Sequence, residues 1–598
     1  MKIRYTSYDE DSAENTYSAA LDPEGDIVLE QTKYLYDASG NTIKETRLER
    51  FHTHTGTSDL EAGSSAVPSY RAMAYDVLGR LRKVEERGYQ DSASGALITQ
   101  YEYHFKKPDE GGRYETTVDP KGTLTRHQYD NLGRRTKIIR NYIDGSPAPG
   151  EHDRDQVVEY KYGPPGGGSD PFRVEEVWVT DTVREEQGTE GTVEDIKVQK
   201  TKYVYGVKRG TGEGYSDIDS GRLLYRIMYP DPDTGEPGAD ARYWLTFAYD
   251  RQGRLKWKKD QAISADNPDD ATKHGYFYDS FGNLTEEHVT PRSDLDGTMD
   301  TVYYNYNRLG RLVSVYAEDR ENPQNKALPL NEVVYEYNGW GQVTKSYQEH
   351  EGRKDAETFS VEYIYSDDAR SLLEGVRYPG DGSRTLLYYY TTGTAEYQKA
   401  GLYLGRVQKI AFPGSGGTIV SYRYSGAWRP VERKLEIPGV SIRFDEDGVP
   451  SSQSYYDGLD RFGRVKDLCV KTQSATYNHL VYGYDAASNV TSRTEQAVNI
   501  PSESYVYDGL DRLSQATFAR GSSQDTKQWQ LSLNGNWREV KENGSAVDTR
   551  YHNAQNEIKG RTFGQAPVPE YDMSGNMTKV PDDAGTSGYV NITYDAWN

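Results

Sequence analysis

Apolar and polar positions alternate along this chain with a period of two, in short runs that end repeatedly in the same way. Tyr276-Phe277-Tyr278 is followed by Asp279-Ser280-Phe281-Gly282-Asn283-Leu284, and Tyr304-Asn305-Tyr306 by Asn307-Arg308-Leu309-Gly310-Arg311-Leu312. Period two puts both tyrosines on one face of a strand. Asp or Asn, two variable residues and Gly then read as a tight turn. The side chain accepts main-chain N–H groups two or three residues on, and Gly supplies a positive φ. The Leu or Val that follows resumes a strand. Each unit is a β-hairpin of roughly 20–30 residues with tyrosines on one face. No stretch sustains a helical period. Residues 259–273 allow a turn or two of helix, and Pro268 argues against more.

The unit recurs along the whole chain. Tyr-Asp occurs eleven times, and the intervals from Tyr249 to Tyr278, Tyr306 and Tyr337 are 29, 28 and 31 residues. The repeat positions are Tyr36, Asp37 and Gly40; Tyr75, Asp76, Gly79 and Arg80; Tyr129, Asp130, Gly133 and Arg134. They continue through Tyr249, Asp250, Gly253 and Arg254; Tyr278, Asp279 and Gly282; Tyr306, Gly310 and Arg311. Tyr484 and Asp485, Tyr507 and Asp508, and Tyr571, Asp572 and Gly575 complete the set. A lone hairpin is marginal in water, but hairpins in succession pair edge to edge into one long sheet. The expectation is an all-β chain in which residues 1–598 form one continuous region. Segments near 144–171, 181–199 and 209–221 read as long loops between strands.

Composition explains how so polar a chain folds. Mean hydropathy is −0.88, a value that ordinarily marks disorder. Yet there are 52 tyrosines against 12 phenylalanines and 6 methionines. A tyrosine ring buries apolar area while its hydroxyl stays hydrogen-bonded, so the chain builds moist, half-buried faces instead of a dry core. A formal charge of −22 weighs against nucleic acid and anionic membranes. No apolar run approaches the ~20 residues of a membrane helix, and no apolar leader follows Met1, so the reading includes no membrane insertion and no signal peptide. The single cysteine, Cys469, excludes an internal disulfide.

The Tyr-x-Tyr-Asp-x-x-Gly-Arg-Leu motif, from about Tyr36 to Tyr594, resembles the YD-repeat or Rhs-repeat family. That family includes bacterial Rhs polymorphic toxins, the shell-forming component of insecticidal Tc toxins, and the barrel of animal teneurins. The resemblance implies hairpins joined into a ribbon that spirals into a hollow shell, with no catalysis and no cofactor of its own. In the bacterial relatives the shell encloses a C-terminal toxic polypeptide. It therefore implies a cargo lying outside this chain, further YD repeats or other copies as partners, and a secreted or cell-surface location. The relatives' Asp-Pro-x-Gly self-cleavage site has no counterpart to carry over. Asp22-Pro23-Glu24-Gly25 and Asp119-Pro120-Lys121-Gly122 lie far upstream and read as β-turns.

Other candidate chemistry is sparse. His52-Thr53-His54 would place two imidazoles on one strand face, without a third ligand nearby. Asp294-x-Asp296-Gly297 and Asp445-x-Asp447-Gly448 lack the terminal Glu of a twelve-residue calcium loop and read as solvated turns. Cys469 reads as a buried thiol. Gly-x-Ser-x-Gly, His-Glu-x-x-His and the phosphate-cradling loop are absent from the sequence. Asn283, Asn489, Asn543, Asn576 and Asn591 open glycosylation sequons that are mostly by-products of the repeat. Two functional readings follow: a structural container for a toxin, or a surface adhesin that stacks sugars on its aromatic faces. The face that carries the tyrosine pairs separates them. Because Tyr8-Asp9 and Tyr594-Asp595 read as broken repeats, the expectation is a piece of a larger protein or assembly that self-associates when alone.

Overall fold

The structure is a computed structural model. It describes residues 2–8, 27–57, 59–105, 112–163, 171–186, 192–212, 214–297, 299–318, 330–367, 371–380, 385–391, 401–402, 404–414, 417–444, 456–496, 500–561, 568–581, 588–595 and 597. The described residues are all-β, with 57% of them in strands against the ordinary ~20–25%. Helical structure among the described residues is limited to single turns, at Ala241–Tyr243, around Leu402 and at Gly414. Residues 259–273 hold no helix; they lie in the strands Leu255–Ala262 and Ala271–Tyr278 and the loop between.

Thirty-seven strands, from Lys2–Tyr8 to Ile558–Arg561, form one sheet, and a further three follow from Glu570 to Asn591. Each strand pairs antiparallel with its neighbours in sequence, as Ile27–Tyr36 does with Thr42–Arg50 and Ala271–Tyr278 with Leu284–Thr290. The result is a continuous meander. Its connections alternate between two edges of a ribbon. The tyrosine-led turns lie on one, here the upper edge, and the links between hairpins lie on the lower. A register shift precedes the second tyrosine of the pair, as between Phe277 and Tyr278 or Asn305 and Tyr306. Such a bulge adds local twist, and the same increment in each repeat bends the ribbon steadily one way.

The ribbon comes back to itself. Gly426 and Ala427 donate their N–H groups to the Arg50 carbonyl (2.8 Å) and to Glu30 Oε1 (3.1 Å). These residues follow the twenty-sixth strand and meet the second and third, a separation of some 24 strands. From there to the end, the upper edge of the second coil runs beneath the lower edge of the first. Apolar packing is confined to small clusters, such as Val28, Leu48, Leu60 and Ala66 within the first coil, and Phe51, Val431 and Tyr456 across the two. Most other side chains in the wall are half-buried, as the tyrosine-rich composition requires.

Segment 181–199 departs from the loop reading. It completes a long hairpin, Val174–Glu186 with Thr192–Val207. Charge and glycine mislead there because ladder hydrogen bonds and burial of Asp181 and Thr182 against the second coil override local propensity. Within 144–171 the strand Gln156–Tyr162 interrupts the loop, and strand Ser220–Met228 begins inside 209–221.

Candidate functional site

The repeat turn is one hydrogen-bonded unit. Asp250 accepts the N–H groups of Gln252 and Arg254 on Oδ1 (both 2.9 Å) and the Arg254 guanidinium on Oδ2 (2.6 Å). The reach is thus two and four residues on, not two or three. Asp76–Arg80, Asp130–Arg134 and Asp508–Arg512 repeat the pair at 2.6–2.7 Å. Asp37, Asp279, Asp485 and Asp572 hold an Asn amide instead, at 2.9–3.0 Å. Glycine takes positive φ at Gly40, Gly79, Gly133, Gly253, Gly282, Gly310 and Gly575. Ser488 and Asp511 take it in the Tyr484 and Tyr507 repeats. Hydrogen bonds from the Asn283 side chain hold the Asp279 carboxyl below the usual range. At Asp250 burial pushes the other way, and the Arg254 main chain and guanidinium outweigh it.

Each turn is then locked to the next repeat. In these repeats the tyrosine before the turn donates its hydroxyl to a carbonyl in the returning strand of the preceding hairpin, usually at that strand's start. Tyr75 reaches Thr42 (3.0 Å), Tyr249 reaches Leu224 (2.9 Å), Tyr278 reaches Leu255 (2.7 Å) and Tyr507 reaches Val490 (2.9 Å). The turn arginine of that hairpin lies over the same ring: Arg254 over Tyr278 at 4.3 Å, Arg134 over Tyr162 at 4.6 Å, Arg464 over Tyr484 at 4.5 Å. Arg311 lies over Tyr337 at 5.9 Å. Tyr129 differs, bonding Glu115 (3.0 Å) beneath Arg113. Tyr36 sits beside Tyr34 on the same face, 6.4 Å between centroids. Tyr571 accepts the Ile558 N–H (3.3 Å). Burial raises the phenol pKa of Tyr278, Tyr306 and Tyr507. Where a guanidinium covers the ring and a carbonyl takes its hydroxyl, the tyrosine is mortar between repeats, with one face closed to a stacking ligand.

The second arrangement is the seam between coils. Asp460-Arg461-Phe462-Gly463-Arg464 is a full repeat turn, and Arg461 at its tip donates to the carbonyls of Gln90 (3.2 Å) and Ser92 (2.6 Å) and to those of Arg87 and Ser94. Tyr89 answers with its N–H on the Arg461 carbonyl (2.9 Å). Gly88, at φ +62°, lies so close that a Cβ would overlap that carbonyl. Farther along, buried Asp181 accepts the Asn534 N–H (3.0 Å) and the Ser532 hydroxyl (3.1 Å), while burial raises its pKa. The Arg292 guanidinium meets Asp572 at 2.7 Å, each side chain 1% exposed.

Several sequence readings change here. At Tyr456-Asp457, another of the eleven Tyr-Asp pairs, the repeat turn begins not at Asp457 but three residues later at Asp460, and Tyr456 is buried against Phe51 and His52. Asp119–Thr123 has the repeat-turn hydrogen bonds on the lower edge, with Lys121 reaching Asp511 (2.6 Å) across the seam. Ser532–Asn536 and Asn553–Glu557 are further repeat turns without Tyr-Asp, betrayed only by Asn-Gly-Asn and by Asn in the Asp place. His52 lies in a turn with Nδ1 at 3.0 Å from the Tyr456 hydroxyl, so the two imidazoles do not share a strand face. Asp294 pairs with Arg292 (2.7 Å), and Cys469 is buried. Among the described residues no group of three or more His, Cys, Asp or Glu is placed to hold a metal. Asp9, Asp22-Pro23-Glu24-Gly25 and Asp445-x-Asp447-Gly448 lie outside the described residues.

No protein-family model matches the sequence, and no curated protein matches it. Among solved structures, the crystal structure of TcdB2-TccC3-Cdc42 superposes with a TM-score of 0.55 at 12% identity, covering 94% of this chain and 29% of that one. The crystal structure of TcdB2-TccC3-TEV gives 0.49 at 12% identity, with 98% and 30% covered. This chain therefore spans less than a third of either of these two chains. The first likeness shows the fold alone: one long β-hairpin ribbon.

Proposed function

We propose that this chain, whose fold is that of a Tc-toxin shell ribbon, is a non-catalytic wall that encloses a separate polypeptide. The observation that carries the reading is the seam, where a ribbon of some 24 strands meets itself. At ~4.8 Å between strands, the circuit is about 115 Å and the ring about 37 Å across. Side chains take ~5 Å from each wall, leaving about 25 Å, wide enough for an extended or partly folded chain. The cargo in this reading is a C-terminal toxin outside the given residues, and the whole is a secreted or surface-delivered bacterial protein. The capped tyrosines favour this container over the sugar-stacking adhesin, because a ring under a guanidinium has lost one stacking face.

The test is electron microscopy and proteolysis of the full chain carrying an unstructured reporter segment after Asn598. Enclosure predicts ring-shaped projections with the reporter inside, cleaved at least about tenfold more slowly than the free reporter. A filled projection, or a reporter outside and cleaved at the free rate, overturns the reading.

A further inference from the structure

In the seam, the first residue after the turn Asp, Asn or Ser is what docks. Leu533 and Ala554, in that position, are both 0% exposed. Gly509, also there, donates its N–H to Asp153 (2.7 Å), and Arg461 fills the carbonyl ring described above. All these tips belong to the upper edge of the second coil and dock on the lower edge of the first. The upper edge of the first coil carries the same kind of tip, left exposed by the described residues. Val77, in the position of Leu533, is 101% exposed, and Leu78, Leu132, Phe281, Leu309 and Trp340 are more than half exposed. Phe281, Leu309 and Trp340 come from consecutive hairpins, so they form a row. Strands from the twenty-first onward carry the other unused edge. Phe359, Tyr378, Phe412, Ile437 and Tyr477, all large and exposed, lie on lower-edge links or beside them.

We infer that the upper rim is a docking surface for the free lower edge of a second copy of this chain, stacked head to tail along the coil axis. The seam supplies the argument. The two edges that meet within this chain are an upper and a lower edge, and its described residues leave an exposed stretch of each. A second copy continues an interface already present, and it covers an apolar row that a monomer leaves in water. The contact is heterologous: rim meets lower edge, not rim, so it leaves a free edge at each end. It rests on edge geometry and holds whatever the lumen contains.

Sedimentation of the full chain over a concentration series tests it, with two variants whose substitutions are confined to exposed side chains. One is Phe281→Asp/Leu309→Asp/Trp340→Asp on the rim, the other Phe359→Asp/Ile437→Asp/Tyr477→Asp on the lower edge. Wild type is expected to associate beyond 67.6 kDa. Each variant alone is expected to weaken association at least about tenfold with an unchanged circular dichroism spectrum. Mixing the two restores a dimer, since each retains one good edge. Monomers of wild type at all concentrations, association untouched by the rim variant, or loss with the rim variant but not the lower-edge one would each overturn it. The last result would mean rim-to-rim pairing.

Discussion

Replacing Gly88 by Ala tests whether the coils truly touch. Gly88 ends the strand Leu81–Gly88 at φ +62°, and its Cα faces the Arg461 carbonyl. The left-handed conformation costs an alanine ~1 kcal/mol, of which about half returns because the unfolded chain is stiffer. The added carbon must also push Arg461 away. That sacrifices the Tyr89 bond, about 1 kcal/mol, and weakens guanidinium bonds to four carbonyls, about 1.5–3 kcal/mol. The local cost is about 3–4 kcal/mol. Gly253→Ala is the control: φ is +79° and nothing lies within 4 Å of the new carbon, so only the net strain remains, ~0.5 kcal/mol. Gly253→Asn should cost still less, because Asn tolerates the left-handed region. A long array opens locally, so the assay is native-state amide exchange at Tyr89 for the seam and at Gly253, which donates to Asp250 (3.1 Å), for the turn. Tyr89 should exchange at least about a hundredfold faster in Gly88→Ala, and the amide at position 253 only about twofold faster in Gly253→Ala. Tyr89 protection within threefold of wild type would refute the close approach. Equal effects of the two alanines would show strain, not contact, to be the cause.

Arg292→Met should leave the buried Asp572 carboxylate without its cation and loosen residues 568–581 by about 3–5 kcal/mol, seen as faster exchange and proteolysis there. Adding Asp572→Asn, which removes the charge but keeps an acceptor for the Ser574 and Asn576 N–H groups, should recover most of the loss, and failure to recover would point to packing instead. Tyr278→Phe removes the hydroxyl from the Leu255 carbonyl but keeps the ring under Arg254, so about 1 kcal/mol should be lost between those two repeats, read by exchange. Burial, with Arg550 and Arg538 nearby, pushes His552 down to about 4 from the ordinary 6.5, so the unfolded chain binds more protons between those values. This contribution is complete above about 6.5 and is lost as pH falls toward 4; a nuclear magnetic resonance titration of His552 with a midpoint near 6.5 would contradict it. The turn carboxylates Asp76, Asp130, Asp250 and Asp279 titrate below the ordinary Asp value. They stabilise above about 4 and let the hairpins loosen as pH falls further, measurable by circular dichroism in acid.

What the sequence determined by itself is the hairpin. Its chemistry is local: Asp250 reaches residues two and four away, Gly253 relieves its own backbone, and Tyr276 and Tyr278 share a face because strands alternate. Local rules misplace a turn only where two candidates overlap, as at Asp457 and Asp460. There the later one wins because Gly463 and Arg464 complete the unit and Tyr456 is needed in the core beside Phe51. The turns at Ser532 and Asn553 were hidden because only the hydrogen-bond pattern, not the tyrosine, survives in them, whereas Asp119-Pro120-Lys121-Gly122 was legible as a turn from its own residues. The tertiary structure alone decided the seam. Which tip meets which loop depends on bend and twist accumulated over some 24 strands, where a small change per strand moves the meeting point by whole hairpins. That sum made a latch of Arg461, buried Arg292 against Asp572, and left Val77 in water while Leu533, in the same place of its repeat, is sealed.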